Sequence, residues 1–104
     1  MSGYIIISTT TDSKEVSERI ASCLLKLRLA ACIQIHENVT SFFSWQNKVE
    51  KAKEFSLIIK TKKLLFSRVR DEIEKEHNYS VPQIVSIAID NLSEDYKKWL
   101  NACL

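Results

Sequence analysis

The segment ACIQIHENVTSFFSWQNKVEKAKEFSLIIK, residues 31–60, determines the predicted fold. It has the pattern of two long β-strands that meet at a turn at residues 46–47, and Phe55, Leu57 and Ile59 alternate onto one face of the second strand. At about 3.3 Å per residue, each extended strand would be about 40–50 Å long. A compact chain of this length is only about 33 Å across. The hairpin is therefore expected to bend or to project beyond the body of the domain.

The segments that flank the hairpin predict further strands and helices. Residues 4–9 and 84–89 are short apolar runs rich in β-branched side chains, typical of strands covered on both faces. Residues 12–27 and 63–76 show helical spacing of apolar side chains, and Ser93 can cap a last helix. The order β-α-β-β-α-β with a C-terminal helix predicts an α+β, ferredoxin-like split βαβ fold with an antiparallel sheet and both main helices on one side of it.

Local signals in the two main helical segments predict their caps and faces. Asp12 is expected to face the first free amides of the first helix, within a capping box. In the second segment, Arg68–Glu72 and Arg70–Glu74 are spaced for i,i+4 ion pairs. The predicted apolar faces consist of Val16, Ile20, Leu24 and Leu27 in the first helix and of Leu65, Val69 and Ile73 in the second.

The chain has one glycine, Gly3, and this limits both its turns and its functions. Gly-rich loops that bind phosphate are excluded, and no organic cofactor is expected. Turns that require positive φ must use asparagine, the next most tolerant residue. The candidates for such turns are Asn38, Asn47, Asn78 and Asn91.

The composition is that of a globular protein, and a single domain over residues 1–104 is expected. The formal net charge is +2, from 15 basic and 13 acidic residues, which does not indicate nucleic acid or an anionic membrane as a partner. No apolar run approaches the roughly 20 residues that span a bilayer, and no signal peptide is expected. Cys23, Cys32 and Cys103 lack metal-ligand spacing, so buried reduced thiols in a cytoplasmic protein are expected.

A projecting hairpin would leave unpaired strand edges, which are an aggregation hazard. Pairing these edges with another subunit removes the hazard, and we therefore predict a closed oligomer held together by intersubunit β-sheet. The alternative is a bent or bulged hairpin within a monomer.

Five segments follow the order and spacing of one protein family over nearly the whole chain. They are LAACIQI (29–35), TSFFSWQNKVE (40–50), IIKT (58–61), HNYSVPQI (77–84) and YKKWL (96–100). In these segments the sequence resembles the CutA family, the divalent-cation tolerance proteins. The resemblance implies a ferredoxin-like subunit in a homotrimer whose long hairpins pair across subunits. It also implies a cytosolic protein without enzymatic activity, linked to copper and other divalent metals by binding and tolerance.

The chain departs from the family pattern in two places. The hairpin tip of the family typically reads Trp-x-Gly, and here it is WQN at residues 45–47, where asparagine can adopt the left-handed turn conformation. The segment after the second helix typically reads His-Pro-Tyr-Glu-x-Pro-Glu, and here it is HNYSVPQ at residues 77–83. One proline and two carboxylates are missing, which leaves less for hard cations such as Mg²⁺ and Ca²⁺ to bind.

His77 is the principal candidate for a metal ligand. Imidazole suits copper, which heads the affinity series for divalent ions. Glu76 is a candidate second ligand, and Ser8 stands at a position where some members of the resembled family carry cysteine. Weak binding that prefers Cu(II) over other divalent cations is therefore expected, at a site that could extend across a subunit boundary. In the alternative interpretation His77 caps the preceding helix or packs beside Tyr79, and His36 is expected at the surface or in an interface.

A second group of residues is expected either in packing contacts or in an intersubunit cleft. In such a cleft, Lys60 would provide the positive charge that attracts a small anion, as in a signalling trimer similar to the PII proteins. The members of the group are Trp45, Lys60, Tyr79, Pro82, Gln83, Tyr96 and Trp99.

Two other functions are compatible with the topology but are not favoured by the residues. The RNA-binding RRM domain shares the βαββαβ order, but residues 5–10 and 55–61 lack its glycine and its paired aromatic side chains. No Cys-His, Ser-His or paired-carboxylate set converges in the sequence, so no enzyme activity is expected.

Overall fold

The computed structural model describes residues 2–104. Among these residues there are four β-strands, three α-helices and a 3-10 turn at Lys63–Leu65. In chain order the main elements are β1 (Tyr4–Thr11), α1 (Lys14–Lys26), β2 (Cys32–Trp45), β3 (Lys48–Lys62), α2 (Phe66–Glu76), β4 (Val85–Ile89) and α3 (Glu94–Cys103). The strands form one antiparallel sheet in the spatial order β2-β3-β1-β4. This arrangement confirms the predicted α+β, ferredoxin-like fold with its terminal helix.

The main core lies between one face of the sheet and the helices α1 and α2. Alternation along the strands places Ile5 and Ile7 of β1 and Leu57 and Ile59 of β3 on this face. The helical side chains that pack against them are Val16, Ile20 and Leu24 from α1 and Val69 and Ile73 from α2. Full burial of each such side chain stabilises the fold by about 1.5–3 kcal/mol. Both helices lie on the same side of the sheet, as predicted.

Helix α1 is capped by Ser13 and not by Asp12. The backbone of Ser13 is extended, and its Oγ accepts a hydrogen bond from the Val16 amide at 3.1 Å. The carboxylate of Asp12 instead accepts a hydrogen bond from the side chain of Asn78 at 2.8 Å. The start of the helix was therefore predicted correctly, but the predicted capping residue was wrong by one position. Asp12 and Ser13 are adjacent, and either residue type can serve as N-cap.

The predicted apolar faces of the helices are correct except at one position. Leu27 is about half exposed, because α1 ends at Lys26 and Leu29 is the next residue that enters the core. Leu65 lies in the 3-10 turn that precedes α2, and its side chain packs against the core only partly buried.

Neither of the ion pairs predicted on α2, Arg68–Glu72 and Arg70–Glu74, forms within the described residues. Arg70 instead binds the neighbouring Asp71, with 3.0 Å between Nη2 and Oδ1. An exposed ion pair contributes only about 0–1 kcal/mol to stability, so a long side chain such as that of Arg70 can pair with any of several nearby carboxylates.

A β-bulge bends the β2–β3 hairpin. The register of the two strands breaks between His36 and Val39, so that residues 37–38 oppose the single residue Phe55 of β3. Asn38 has a φ of 60°, as predicted for one of the asparagines. The bulge divides the hairpin into an inner half and an outer half.

The turn at the hairpin tip uses two consecutive residues with positive φ, Gln46 at 51° and Asn47 at 63°. This is the pattern of a two-residue type I′ turn, whose twist matches that of the two strands. Arg28, which follows α1, also has a positive φ of 58°. The prediction of positive φ was correct for Asn38 and Asn47 but wrong for Asn78 and Asn91, and Arg28 and Gln46 show that such turns do not require asparagine.

The outer half of the hairpin, Val39–Glu54, projects beyond the four-stranded sheet, and we call it the arm. Strand β3 pairs with β1 only from Phe55 to Lys62, so the two strands of the arm pair only with each other. The molecule is accordingly 45 Å long but only 26 × 23 Å in its other dimensions. The predicted projection of the hairpin is confirmed, and the bulge that was the alternative is present as well.

The second face of the sheet is largely uncovered in the single chain. Val85 and Ile87 of β4 are 47% and 60% exposed, because β4 is an edge strand and α1 and α2 cover the opposite face. On β1, which is buried on its core face, Ile6 and Ser8 are only half-buried on this second face. The prediction that both strands are covered on both faces is therefore wrong for one chain.

Helix α3 packs on a separate small cluster at one end of the sheet. The buried members of this cluster are Tyr4, Ala31 and Leu100. Ser93 caps the helix as predicted, and its Oγ accepts a hydrogen bond from the Tyr96 amide at 3.4 Å.

The three cysteines are free thiols, as expected, but they are half-buried and not buried. Burial, followed by the charges of Glu72 and Glu76, raises the pKa of the Cys23 thiol. Such a thiol stays protonated and is a poor nucleophile at neutral pH.

Candidate functional site

The segment at residues 77–83 connects the end of α2 with β4. His77 has an extended backbone, and its amide donates a hydrogen bond to the Ile73 carbonyl at 2.9 Å. His77 is therefore the C-cap of α2, which is one of the two interpretations that the sequence left open.

Both ring nitrogens of His77 make hydrogen bonds with the backbone. Nδ1 accepts a hydrogen bond from the Tyr79 amide at 3.0 Å, so the proton must be on Nε2, which donates to the Thr10 carbonyl at 2.9 Å. Burial lowers the pKa of His77, and the bond to Thr10 opposes this effect only in part. The imidazole is therefore neutral at pH 7 and joins the segment to the end of β1.

Asn78 adds a second connection between this segment and the end of β1. Its Oδ1 accepts a hydrogen bond from the Thr11 hydroxyl at 2.6 Å, and its Nδ2 donates to Asp12 at 2.8 Å. The Thr11 hydroxyl in turn accepts a hydrogen bond from the Ser13 amide at the start of α1. Residues 77–78 and the end of β1 thus form one rigid unit.

Tyr79 connects this unit to the base of the arm. Its hydroxyl donates a hydrogen bond to Oε2 of Glu54 at 2.6 Å, and Glu54 is only 7% exposed. The rings of Tyr79 and His77 are in contact, with 4.9 Å between their centroids. Burial, followed by the hydrogen bond to Glu54 and its charge, raises the pKa of Tyr79. Sequence analysis did not predict any role for Glu54.

A cleft of about 930 Å³ lies between the arm and the segment at residues 79–83. Four residues of the predicted cleft group line it, namely Trp45, Tyr79, Pro82 and Gln83. Phe42 and Phe43 add apolar surface on the arm side, and the charged residues at the cleft are Asp12, Glu50 and Glu54 with one cation, Lys51. The cleft is therefore largely apolar, and its charged residues are three acidic groups against one lysine, which does not favour a small anion.

The other three residues of the predicted cleft group lie together elsewhere. Lys60 has its Nζ 5.6 Å from the centroid of the Tyr96 ring, and the rings of Tyr96 and Trp99 stack with centroids 5.5 Å apart. Lys60 also donates a hydrogen bond to Gln34 at 3.5 Å. These residues do not line the cleft beside the arm, so the structure divides the predicted group into two sites.

The three predicted metal ligands are each engaged with other residues. Besides His77, Glu76 accepts a hydrogen bond from Arg19 at 3.0 Å, and the same guanidinium also binds its carbonyl. Ser8 accepts a hydrogen bond from Gln83 at 3.5 Å. Within residues 2–104, no group of three or more histidine, cysteine, aspartate or glutamate side chains is placed to hold a metal ion. The predicted ligands therefore do not form a preformed chelate within one chain.

The fold and this geometry can be compared with known proteins. The sequence model of a family described as "CutA1 divalent ion tolerance protein" matches residues 5–103. The chain belongs to the CutA family. The resemblance inferred from the five sequence segments is thereby confirmed.

Relatives in the CutA family match almost the full length of the chain. A divalent-cation tolerance protein CutA from Archaeoglobus fulgidus is 41% identical over 101 residues, which cover 97% of this chain and 96% of the relative. The protein of the same name from Pyrococcus horikoshii is 40% identical over 96 residues, with 92% and 93% covered. Divalent-cation tolerance is therefore the general function of the family to which the chain belongs.

Solved structures of family members have the same fold. The "periplasmic divalent cation tolerance protein CutA" from Archaeoglobus fulgidus superposes with a TM-score of 0.93 at 39% identity, and 96% of this chain and 97% of that chain are covered. CutA1 from Ehrlichia chaffeensis gives a TM-score of 0.91 at 31% identity, with 99% and 96% covered. No helix within residues 2–104 of this chain is long and apolar enough to cross a membrane.

Sequence reasoning missed the contacts that organise the segment after α2. Glu54 looks like one of many charged residues on a hairpin, and its partner Tyr79 is 25 residues away in sequence. The sequence predicts only a turn at Asn78, whereas its side chain joins Thr11 and Asp12. The only signal in the sequence was the dense cluster of polar and aromatic residues at 77–79.

Proposed function

We propose that the protein is a non-enzymatic member of the CutA family that assembles as a homotrimer and binds divalent cations weakly, with a preference for Cu(II). The observation that carries the proposal is the arm at Val39–Glu54, which projects from the sheet with both of its strand edges unpaired within the chain. The membership of the family supports the general function of divalent-cation tolerance.

The arm has the properties of a surface that pairs with another subunit. An isolated two-stranded ribbon is at best marginally stable in water. Phe42, Trp45 and Val49 are nevertheless exposed on it, and an unpaired strand edge readily adds a strand from another chain. Intersubunit β-sheet would provide both the missing hydrogen bonds and the missing cover for these side chains.

The uncovered face of the sheet supports assembly as well. Val85 and Ile87 lie exposed on that face of β4, remote in the chain from the arm. Contact between two different surfaces of identical chains is heterologous, and such contacts close into a ring when the rotation permits it. We propose a ring of three subunits.

The proposed metal binding rests on the state of His77. Its neutral imidazole is the form that coordinates a metal, and imidazole favours copper among the divalent ions. A metal ion at His77 must compete with the Thr10 carbonyl or the Tyr79 amide, and one at Glu76 must compete with Arg19. This competition supports weak binding. Ligands from more than one subunit would strengthen the binding of the metal, since the described residues of one chain do not bring three candidate ligands together.

The test is a calorimetric titration of the purified protein with Cu(II), with the assembled mass measured on the same sample. We expect saturable binding that is lost in His77→Ala and retained in the matched control His36→Ala, because His36 is exposed on β2 and has no predicted role as a ligand. Equal binding by the wild type and His77→Ala would overturn the metal site at His77. Absence of saturable binding in the wild type would overturn the proposal of Cu(II) binding.

A second candidate function is the binding of a small anion by a trimer similar to the PII proteins. The favouring observation is Lys60, which makes no ion pair within residues 2–104 and lies beside the stacked rings of Tyr96 and Trp99. A nucleotide screen by thermal shift tests it, because a ligand that binds only the native state raises the melting temperature. The stabilisation should disappear in Lys60→Ala and persist in Lys97→Ala.

We further propose a single-domain protein that resides in the cytoplasm. The support is the presence of three free, half-buried cysteines, since thiols are kept reduced in that compartment. The relative from Archaeoglobus fulgidus carries the description "periplasmic", which opposes this proposal. Fractionation of the native cells, with antibodies against the protein, distinguishes the two locations.

A further inference from the structure

The base of the arm combines a break in the sheet with one strong side-chain contact. At the bulge, residues 37–38 oppose Phe55 alone, and Phe55 is also the last residue of β3 that pairs with β1. A bulge weakens the local ladder and bends the strand that contains it. The direction of the arm relative to the sheet is therefore set at this point, outside the core.

The contact at the same level is the hydrogen bond from Tyr79 to Glu54. Glu54 is the last residue of the arm, it is 7% exposed, and its carboxylate accepts the Tyr79 hydroxyl at 2.6 Å. A short hydrogen bond to a carboxylate is about twice as strong as one between neutral groups. A carboxylate that lost this donor while it stayed buried would be destabilised, and this cost falls at the base of the arm.

The other end of this contact is fixed to the body of the protein. Tyr79 follows His77 and Asn78, and these two residues hold the end of β1 through hydrogen bonds to Thr10 at 2.9 Å and Thr11 at 2.6 Å. Movement of the arm relative to the sheet would therefore break the Tyr79–Glu54 bond before it moved the segment at residues 77–79.

We infer that the Tyr79–Glu54 hydrogen bond is a latch that fixes the direction of the arm relative to the sheet, with the bulge at residues 37–38 as its hinge. The direction of the arm also sets the width of the cleft between the arm and residues 79–83. The segment after α2 thereby controls the geometry of the arm. In the proposed trimer, the latch would set the direction in which each arm meets the neighbouring subunit.

The experiment is hydrogen exchange with mass spectrometry on the full-length protein. Tyr79→Phe keeps the ring against His77 but removes the hydroxyl, so amide exchange in residues 39–53 should rise about tenfold, the loss expected for a hydrogen bond to a charged group. Exchange in β1 and β4 should stay unchanged. Glu54→Gln keeps an acceptor for the Tyr79 hydroxyl but removes its charge, so exchange in the arm should rise less than in Tyr79→Phe.

Tyr96→Phe is the matched control, because Tyr96 is also a half-buried tyrosine but contacts Lys60 and Trp99 and not the arm. Unchanged exchange in the arm of Tyr79→Phe would overturn the latch. A rise that also extends to residues 4–11 and 85–89 would overturn it too, since the contact would then stabilise the whole fold or the assembly. An effect of Tyr96→Phe equal to that of Tyr79→Phe would likewise contradict it.

Discussion

The two halves of the β2–β3 hairpin have the same backbone pairing but very different surroundings. In the inner half, Leu57, Ile59 and Thr61 are fully buried, and β3 pairs with strands on both sides. In the arm, Phe42 and Val49 are mostly exposed, and each strand has one partner. Strand pairing thus fixes a conformation in both halves, whereas burial stabilises only the inner half within one chain.

The largest expected effect is on the inner half. Leu57→Ala removes a fully buried side chain from the core, and it should lower the free energy of unfolding by about 2–5 kcal/mol. The matched control is Leu64→Ala, because Leu64 is 90% exposed and its truncation should change stability by no more than about 0.5 kcal/mol. Urea denaturation measures both values. Equal losses in the two variants would contradict the account of the core.

Two buried threonines in the inner part of the sheet should respond in opposite directions. The Thr61 hydroxyl donates a hydrogen bond to the Leu29 carbonyl at 2.6 Å, so Thr61→Val should cost about 1–3 kcal/mol. The Thr9 hydroxyl is buried and has no partner among the described residues, so Thr9→Val should stabilise by about 1 kcal/mol. Thermal and urea denaturation check both signs. A loss of stability in Thr9→Val would show that its hydroxyl has a partner.

The tip of the arm should tolerate glycine but not alanine. Asn47 has a φ of 63°, and an alanine there costs about 1–2 kcal/mol relative to a residue that tolerates this conformation. Asn47→Ala should therefore raise amide exchange at residues 43–50 and leave the core strands unchanged, whereas Asn47→Gly should keep slow exchange in the arm. A core that loosened together with the tip would show that the two halves are not independent.

The smallest expected effect is a dependence of stability on pH through His77. Its pKa in the folded state is below its usual value of 6.5, so the folded state binds fewer protons than the unfolded state near that pH. The resulting contribution to the free energy of unfolding is fully present above pH 6.5. It is lost as the pH falls from 6.5 towards the lower pKa that His77 has in the folded state. His77→Gln should therefore show a shallower fall in the free energy of unfolding between about pH 7.5 and pH 5. An identical slope in the two proteins would contradict this assignment.

Much of the fold could be predicted because its signals are local. Alternation in β3 identified Leu57 and Ile59, and spacing of three and four residues identified Val69 and Ile73. The capping residue was wrong because the neighbours Asp12 and Ser13 can both cap a helix. The burial of Val85 and Ile87 was wrong because nothing within one chain covers their face of the sheet.

The candidate site was less predictable because its contacts join distant parts of the chain. Clustering of polar and aromatic residues singled out His77 and Tyr79, but not the backbone carbonyl of Thr10 that holds His77. Glu54 differs from the other charged residues of the arm only through its burial against Tyr79. The contact of Glu54 with Tyr79 depends on how distant segments pack in three dimensions, and a single sequence does not show which segments meet.

The claim that the arm requires a second chain is tested most directly by sedimentation equilibrium of the wild-type protein at several concentrations. We predict a mass of three chains that does not change on dilution, because neighbouring subunits would cover the exposed strand edges and apolar side chains of the arm. A mass of one chain over the whole range would contradict it, and the arm would then be stable in water without a partner.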